Sequence, residues 1–295
     1  MFDFLNPLTE ADFNQETEFL MDGFVAKNLI TLFYADGGEG KTFLALGIAK
    51  YLDKQGLSVV YIDYDNGLKS LKDRGVDKKL IKTCQHLKYI GRSNAKIHAH
   101  EILLKIESMA VSGVFNNTVF ILDSLRNFCD VNNDSATMKT METLKNIREA
   151  GATVLILHHS NKDGRNYQGS NNIRNSLDNM YHVKKILAQK GQIRWVLTVK
   201  KERVAIEDTA LSLKINDFDI HPINLAEARL TEEDRAFIQA VKASLVQTPN
   251  QNKTQLLKNC GYEKTDKTAR DRLKQFSGVF WQEVQHRGIF SYRLK

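Results

Sequence analysis

The segment Ala35-Asp36-Gly37-Gly38-Glu39-Gly40-Lys41-Thr42 has the composition of a phosphate cradle. Glycines let backbone amides turn inward around phosphate, a terminal lysine reaches the outer phosphates, and the hydroxyl beside it can hold Mg²⁺. The apolar run before the segment and the helical spacing after it give the strand–loop–helix setting that this chemistry needs. The positive end of the helix then faces the anion. Asp36, Gly37, Gly38, Glu39, Gly40, Lys41, Thr42 and Phe43 are the expected nucleotide contacts, with ATP and Mg²⁺ as the expected ligands. Ala35 departs from the first glycine of GxxxxGK[ST], which matters little if residue 35 needs no positive φ.

Three more apolar runs end in groups that can do chemistry. Val119-Phe120-Ile121-Leu122-Asp123 closes on a carboxylate suited to hold magnesium through water, opposite Thr42. Tyr61-Ile62-Asp63-Tyr64-Asp65-Asn66 closes on two acids. Asp65, with Asp63 second, is the candidate to orient a water that attacks the γ-phosphate. Either acid can instead cap the next helix. Leu157-His158-His159-Ser160 ends a third run, and one of its histidines can sense the γ-phosphate through a hydrogen bond. The alternative is a structural pair. No further His/Cys/Asp cluster lies close in sequence, so zinc is not expected.

Strands must carry these groups to a common edge. LITLFY (29–34), SVVYI (58–62), TVFIL (118–122) and TVLIL (153–157) read as buried strands, separated by helical patterns at 43–55 and 135–150. Asp134 is the expected N-cap of the second helix and Gly151 its C′ residue. Continuous apolar strands between helices predict an α/β fold with a mostly parallel sheet covered on both faces. QIRWVLTVKK and ALSLKIN alternate as antiparallel strands closing one edge. Beyond a linker at 221–234 come helices at 231–246, 253–259 and 265–276, then two alternating segments around His286-Arg287-Gly288. That is the layout of a winged helix.

The motif series resembles a known family. Phe19-Leu20-Met21-Asp22-Gly23 before the P-loop, YIDYDN, ILDSLRNF, ILHHSNK and the Gly169-Ser170 loop are similar to RecA-like ATPases of the RepA type. Those are plasmid-encoded hexameric replicative helicases, more distantly related to DnaB-type helicases. The resemblance covers roughly residues 18–215. It implies a central P-loop strand, Asp65 in the place of the usual catalytic glutamate, and His159 as the motif histidine. Shortening that acid by one methylene bears on the hydrolysis rate. Val199-Lys200-Lys201-Glu202-Arg203 resembles the K-x-R strand by which related rings insert cations into a neighbour's site, so Lys201 and Arg203 would act in trans. A charged edge strand is the alternative. Arg74 falls where the family places a basic residue. Loops after the histidine strand line the channel in such rings, so Lys162, Arg165 and Arg174, with Tyr167 as a stacking group, would meet single-stranded DNA, and an ordinary flexible surface loop is the alternative.

Composition sets the remaining bounds. The 295 residues are 42% apolar and 26% charged with three prolines, which suits a folded soluble chain rather than a disordered one. No apolar stretch is long enough to span a membrane, and the N-terminus lacks the pattern of a secretory signal. Cys84, Cys129 and Cys260 are scattered, as reduced thiols of a cytoplasmic protein are. Residues 251–295 hold ten Lys/Arg and four Asp/Glu, a local excess of +6 within a net +7. Lys264, Lys267, Arg270, Arg272 and Lys274 crowd the third tail helix, where a helix-turn-helix module keeps its major-groove reader. Arg270, Arg272 and Lys274 are therefore candidate DNA contacts, and a protein-docking face is the alternative. The expected organisation is an arm at 1–17, a RecA-like domain at 18–225 and a winged-helix-like domain at 231–295. The functional expectation is a DNA-handling ATPase motor that assembles as a homo-oligomer, with a hexamer as one form. Its rivals are a DNA-binding recombination or loading factor that does not unwind, and a regulatory ATPase with a docking tail.

Overall fold

The computed structural model describes residues 9–10, 16–21, 23–186, 190–286 and 289–295. The chain divides into two compact units, Met1–Ala228 and Arg229–Lys295. Arg287 and Gly288, the expected wing tip, and most of the expected arm lie outside the described residues.

In the first unit, a small hairpin of β1 (Phe19–Met21) and β2 (Val25–Ala26) precedes β3 (Ile30–Ala35) and α1 (Lys41–Lys54). Then follow β4 (Ser58–Asp63), α2 (Leu68–Arg74), β5 (Leu87–Gly91), α3 (Ala99–Glu107), β6 (Thr118–Asp123) and α4 (Asp134–Glu149). The unit continues through β7 (Thr153–His159), α5 (Asn171–Ser176), β8 (Asn179–Ile186), β9 (Gln192–Lys201), β10 (Thr209–Lys214), β11 (Asp219–Pro222) and α6 (Leu225–Ala228).

The nine-stranded sheet has the order β11-β10-β9-β8-β3-β7-β6-β4-β5, which makes β3 the middle strand. From β5 across to β8 the pairing is parallel, and from β8 to β11 it is antiparallel. Alternation along β3 explains the two cores. Phe33 and Ala35 join α1 and the β10–β11 side, while Ile30, Leu32 and Tyr34 join α3 and α4. Gly47 permits the close approach of α1 to the antiparallel end. A Cβ there would stand 2.4 Å from Leu213 Cδ1 and 3.1 Å from Ile220 Cβ.

The strand and helix placements largely follow the sequence pattern, with local differences. The N-cap of α4 is Asn133, whose side chain accepts from the Ala136 amide, so Asp134 is the first helical residue and not the cap. Gly151 does follow the helix with φ +97. Several elements were not anticipated, among them β5, α3 and β8. LKYIG and NMYHVKKI mix polar with apolar residues because β5 lies at the sheet edge and part of β8 is exposed.

The second unit comprises α7 (Glu232–Gln247), α8 (Lys253–Asn259), α9 (Lys267–Gln275), β12 (Trp281–His286) and β13 (Ile289–Leu294), with the two strands antiparallel. Phe237, Val241, Leu256, Leu257, Leu273 and Trp281 are fully buried in its core. Trp281 and Tyr292 pack the hairpin onto the helices, and Trp281 Nε1 donates to the Leu273 carbonyl at 3.0 Å. Thr231 and Asp234 form a reciprocal capping box on α7. Gln251, 2% exposed, stitches the break after α7: its Nε2 donates to the Ser244 and Thr248 carbonyls, and its own carbonyl accepts from the Tyr292 amide.

Candidate nucleotide site

Parallel strands place their carboxyl ends at one sheet edge, and the loops that leave them meet there. The P-loop leaves β3 at this edge. Gly38 and Gly40 have φ +85 and +80, a conformation that an L side chain rarely adopts. At Gly40 the space is closed as well, because an added Cβ would meet the Trp195 ring at 3.3 Å. Trp195 Nε1 donates to the Glu39 carbonyl at 2.7 Å, so β9 supports the loop from below. Gly40 caps α1 without a side-chain bond, which leaves the first-turn amides for an anion. Ala35 is a buried strand residue without positive φ, so the missing first glycine carries no conformational cost.

Lys41 is 9% exposed and its Nζ donates to the Ala35 and Asp36 carbonyls at 2.7 and 2.8 Å. Burial lowers its pKa, opposed by Asp123, Asp36, Asp65 and Glu39. Thr42 Oγ1 donates to Asp123 Oδ2 at 3.0 Å, which puts the two expected metal-holding groups in contact. Tyr61 OH donates to the same oxygen at 3.0 Å. Burial, then the neighbouring Asp63, raises the Asp123 pKa to about 7. A cation beside Asp123 would favour its ionised form, so hydroxyl and carboxylate together fit Mg²⁺, which keeps waters and takes few protein ligands. Among the described residues no cluster of three or more His, Cys, Asp or Glu is placed to hold a metal.

The acids after β4 separate clearly. Asp63 is fully buried and accepts from the Asp65 and Asn66 amides, the Asn66 side chain and, at 2.5 Å, Tyr89 OH. It holds the turn and has no oxygen to spare for a water, so the second candidate is a structural residue. Asp65 stands at the lip. Its Oδ1 accepts from Arg126 Nη2 at 2.7 Å and from Asn127 Nδ2 at 3.4 Å, while its Oδ2 lies 4.0 Å from His159 Nε2. Burial raises the Asp65 pKa, but the Arg126 hydrogen bond and charge outweigh it and hold the carboxyl below its ordinary value.

The histidine pair also resolves. His158 is fully buried and its Nε2 bonds the Gln168 carbonyl at 2.6 Å, which makes it structural. His159 faces Asp65, and its buried Nε2 has no hydrogen-bond partner. Burial, then Lys41 and Arg126, keep it neutral by lowering its pKa. Arg74 donates to Asn66 Oδ1 at 2.9 Å and lies 5.4 Å over the Phe43 ring. Beside them a hollow of about 630 Å³, lined by Phe43, Gly67, Ser70, Arg74 and Ile215, adjoins the P-loop.

Other expected residues lie elsewhere. Lys201 does not present a free cation, because its Nζ donates to the Leu177 and Asn175 carbonyls at 2.6 and 3.4 Å and to that of Arg174, closing the end of α5. Arg203 is 55% exposed, and its Nη1 rests 3.4 Å from Asp178, which is already paired with Arg148. Both sit at the opposite sheet edge, since Lys201 pairs with Met180 and Asn179 with Thr31. Lys162, Arg165 and Arg174 are exposed on or just after the β7–α5 loop. Tyr167 is half-buried with its ring edge-on to Tyr34 and its OH on Asn171, so it is packed and not free to stack on a base. In the second unit Arg270 and Lys274 are exposed, but Arg272 donates to Asp234 at 2.8 Å and is tied to α7. Arg272 is thus a structural cation, contrary to its expected DNA contact. Arg126, Asn127 and Trp195 were missed. The strand-end rule that selected Asp65 would have found the first two, whereas nothing local marks Trp195.

A glycine-rich loop between strand and helix, with its lysine, its threonine and a strand-end aspartate in register, defines a P-loop nucleotide-binding ATPase domain. Residues 30–199 match the family model of the CobQ/CobB/MinD/ParA nucleotide binding domain, and the chain belongs to that family. Among solved structures, the ATPase domain of G40P is similar with a TM-score of 0.51 at 15% identity, covering 73% of this chain and 94% of that one. The RadB recombinase gives a TM-score of 0.47 at 17% identity, covering 67% and 92%. The G40P likeness shows a RecA-like fold and nothing beyond it. A search of curated proteins gave no significant match.

Proposed function

We propose that this chain is an ATP-hydrolysing, DNA-handling motor, a replicative helicase of the RepA type carried by a plasmid, phage or mobile element. The observation that carries the hydrolytic part is the meeting of Asp65, His159, Lys41 and the Thr42–Asp123 pair at one sheet edge. Magnesium held by Thr42 and Asp123 would neutralise phosphate charge. Lys41 would exchange its carbonyl partners for the outer phosphates, Asp65 would orient the attacking water, and neutral His159 would offer Nε2 to the γ-phosphate. The hollow beside Arg74 and Phe43 has room for a base.

DNA is the partner proposed for the exposed Lys162, Arg165 and Arg174 and for the exposed cations of α9. Arg203 stands too far from its own P-loop to serve it. Five residues of strand separate them, roughly 16 Å at the usual rise. Its use at a neighbour's site supports a homo-oligomer, such as a hexamer. The second reading, a DNA-binding factor that does not unwind, draws on the tail's separate core and its layout of three helices and a hairpin, a winged helix in our reading.

Lys41→Ala should abolish ATP hydrolysis with the circular dichroism spectrum unchanged, since the Lys41 Nζ hydrogen bonds go to carbonyls of its own loop. Asp65→Asn should keep ATP binding and lose turnover. Hydrolysis by Lys41→Ala within a few-fold of wild type would remove the proposal, and a forked duplex substrate then separates unwinding from binding alone.

A further inference from the structure

Arg126 lies in the segment ILDSLRNF but was given no role above, yet it stands beside Asp65 at the nucleotide site. It lies in the single 3₁₀ turn Leu125–Asn127 that leaves β6. Leu125 is fully buried, so the backbone of this turn is anchored while the arginine side chain is half exposed. One guanidinium nitrogen, Nη2, donates to Asp65 Oδ1 at 2.7 Å. A guanidinium carries five donors in a planar fork, so most of its capacity remains. His159 Nε2, buried and unpartnered, lies 4.0 Å from the other oxygen of the same carboxylate. The charges of both Lys41 and Arg126 act on His159.

We propose that Arg126 is the residue by which this site distinguishes a nucleoside triphosphate from a diphosphate, exchanging Asp65 for the γ-phosphate. The proposal rests on the hydrolytic reading of the site and names a specificity-determining group within it. A terminal phosphate held by Lys41 and facing His159 brings more negative charge than one carboxylate, and its oxygens match the arginine fork in a bidentate way. A diphosphate ends short of Asp65 and leaves the pair as it stands. The exchange has a second effect on the acid. While Arg126 donates to Asp65, the carboxylate is a weak proton acceptor. Once the arginine moves to phosphate, Asp65 recovers basicity and both oxygens face water. Recognition of the γ-phosphate and activation of the acid are then one event.

Equilibrium titration of the full chain with Mg²⁺ and either ADP or the β,γ-imido analogue of ATP tests the exchange. The wild type should prefer the triphosphate analogue. Arg126→Ala should lose about tenfold or more in affinity for the analogue, the scale of a lost bidentate charged contact, and keep its ADP affinity within about twofold. Arg126→Lys should recover part of the preference. Asp65→Asn removes the competitor for the arginine, so it should tighten the analogue, opposite in direction to Arg126→Ala. A tie that merely holds the loop would send both variants the same way. An Arg126→Ala protein with the wild-type affinity ratio, or one that loses both nucleotides equally, would overturn the proposal. A wild-type chain that binds neither nucleotide would overturn the hydrolytic reading itself, and this one with it.

Discussion

Neighbouring residues of a strand point to opposite faces, so His158 and His159 share a strand end and not an environment. His158 is turned into the core, where burial lowers its pKa to about 4, with the Gln168 hydrogen bond opposing the shift. An unfolded chain returns it to about 6.5. The unfolded state therefore binds the proton more readily, and stability is lost as pH falls through the window from about 6.5 to 4. Between pH 7.5 and pH 5 this one group should remove about 2 kcal/mol. Urea unfolding of wild type and His158→Gln at both pH values should show the variant losing less, by about that amount. Equal losses would mean that His158 is not held neutral. At this scale the P-loop was legible because its chemistry is contiguous, from Asp36 to Thr42. The choice between His158 and His159, or between Asp63 and Asp65, was not. It depends on which carbonyl and amides a fold brings near, and Gln168 is ten residues from His158.

At the scale of elements, α9 shows what a charge count misses. Arg270, Arg272 and Lys274 look alike in sequence, but Asp234 of the α7 capping box captures Arg272 and leaves the other two exposed. Arg270→Ala with Lys274→Ala should weaken duplex binding by the full chain and flatten its salt dependence, with the melting temperature little changed. Arg272→Ala should instead lower thermal stability, by about 1 kcal/mol for a partly buried charged contact. Fluorescence anisotropy against salt, beside a melt of each variant, checks both. If the double variant keeps wild-type duplex affinity and salt slope, the exposed face of α9 serves a partner other than DNA. The central strands were readable as unbroken apolar runs because both their faces are covered. β8 escaped because Lys184 and Lys185 point outward beside buried Tyr181 and Val183. The dependence of the P-loop on Trp195 was invisible for another reason, since a contact between residues 156 positions apart leaves no local pattern.

For the whole molecule, the separation of the nucleotide edge from Arg203 bears on how copies meet. Specific ATPase activity should rise with protein concentration. Arg203→Ala chains mixed with Lys41→Ala chains should recover turnover that neither has alone, because some mixed junctions join an intact P-loop to an intact arginine. A concentration-independent rate, or mixtures no better than their parts, would place the whole reaction within one chain. The sheet then has further meaning as a vector. Its nucleotide edge and its Arg203 edge are different surfaces, so a chain that lends its arginine to one neighbour can take an arginine from another. Copies that complete one another head to tail all point the same way, front to back. Such a joint has no natural stopping point except closure on itself, and where it does not close it runs on as a filament. A track threaded along either form would meet every subunit in the same orientation, and so would find a forward and a backward direction built into the sheet.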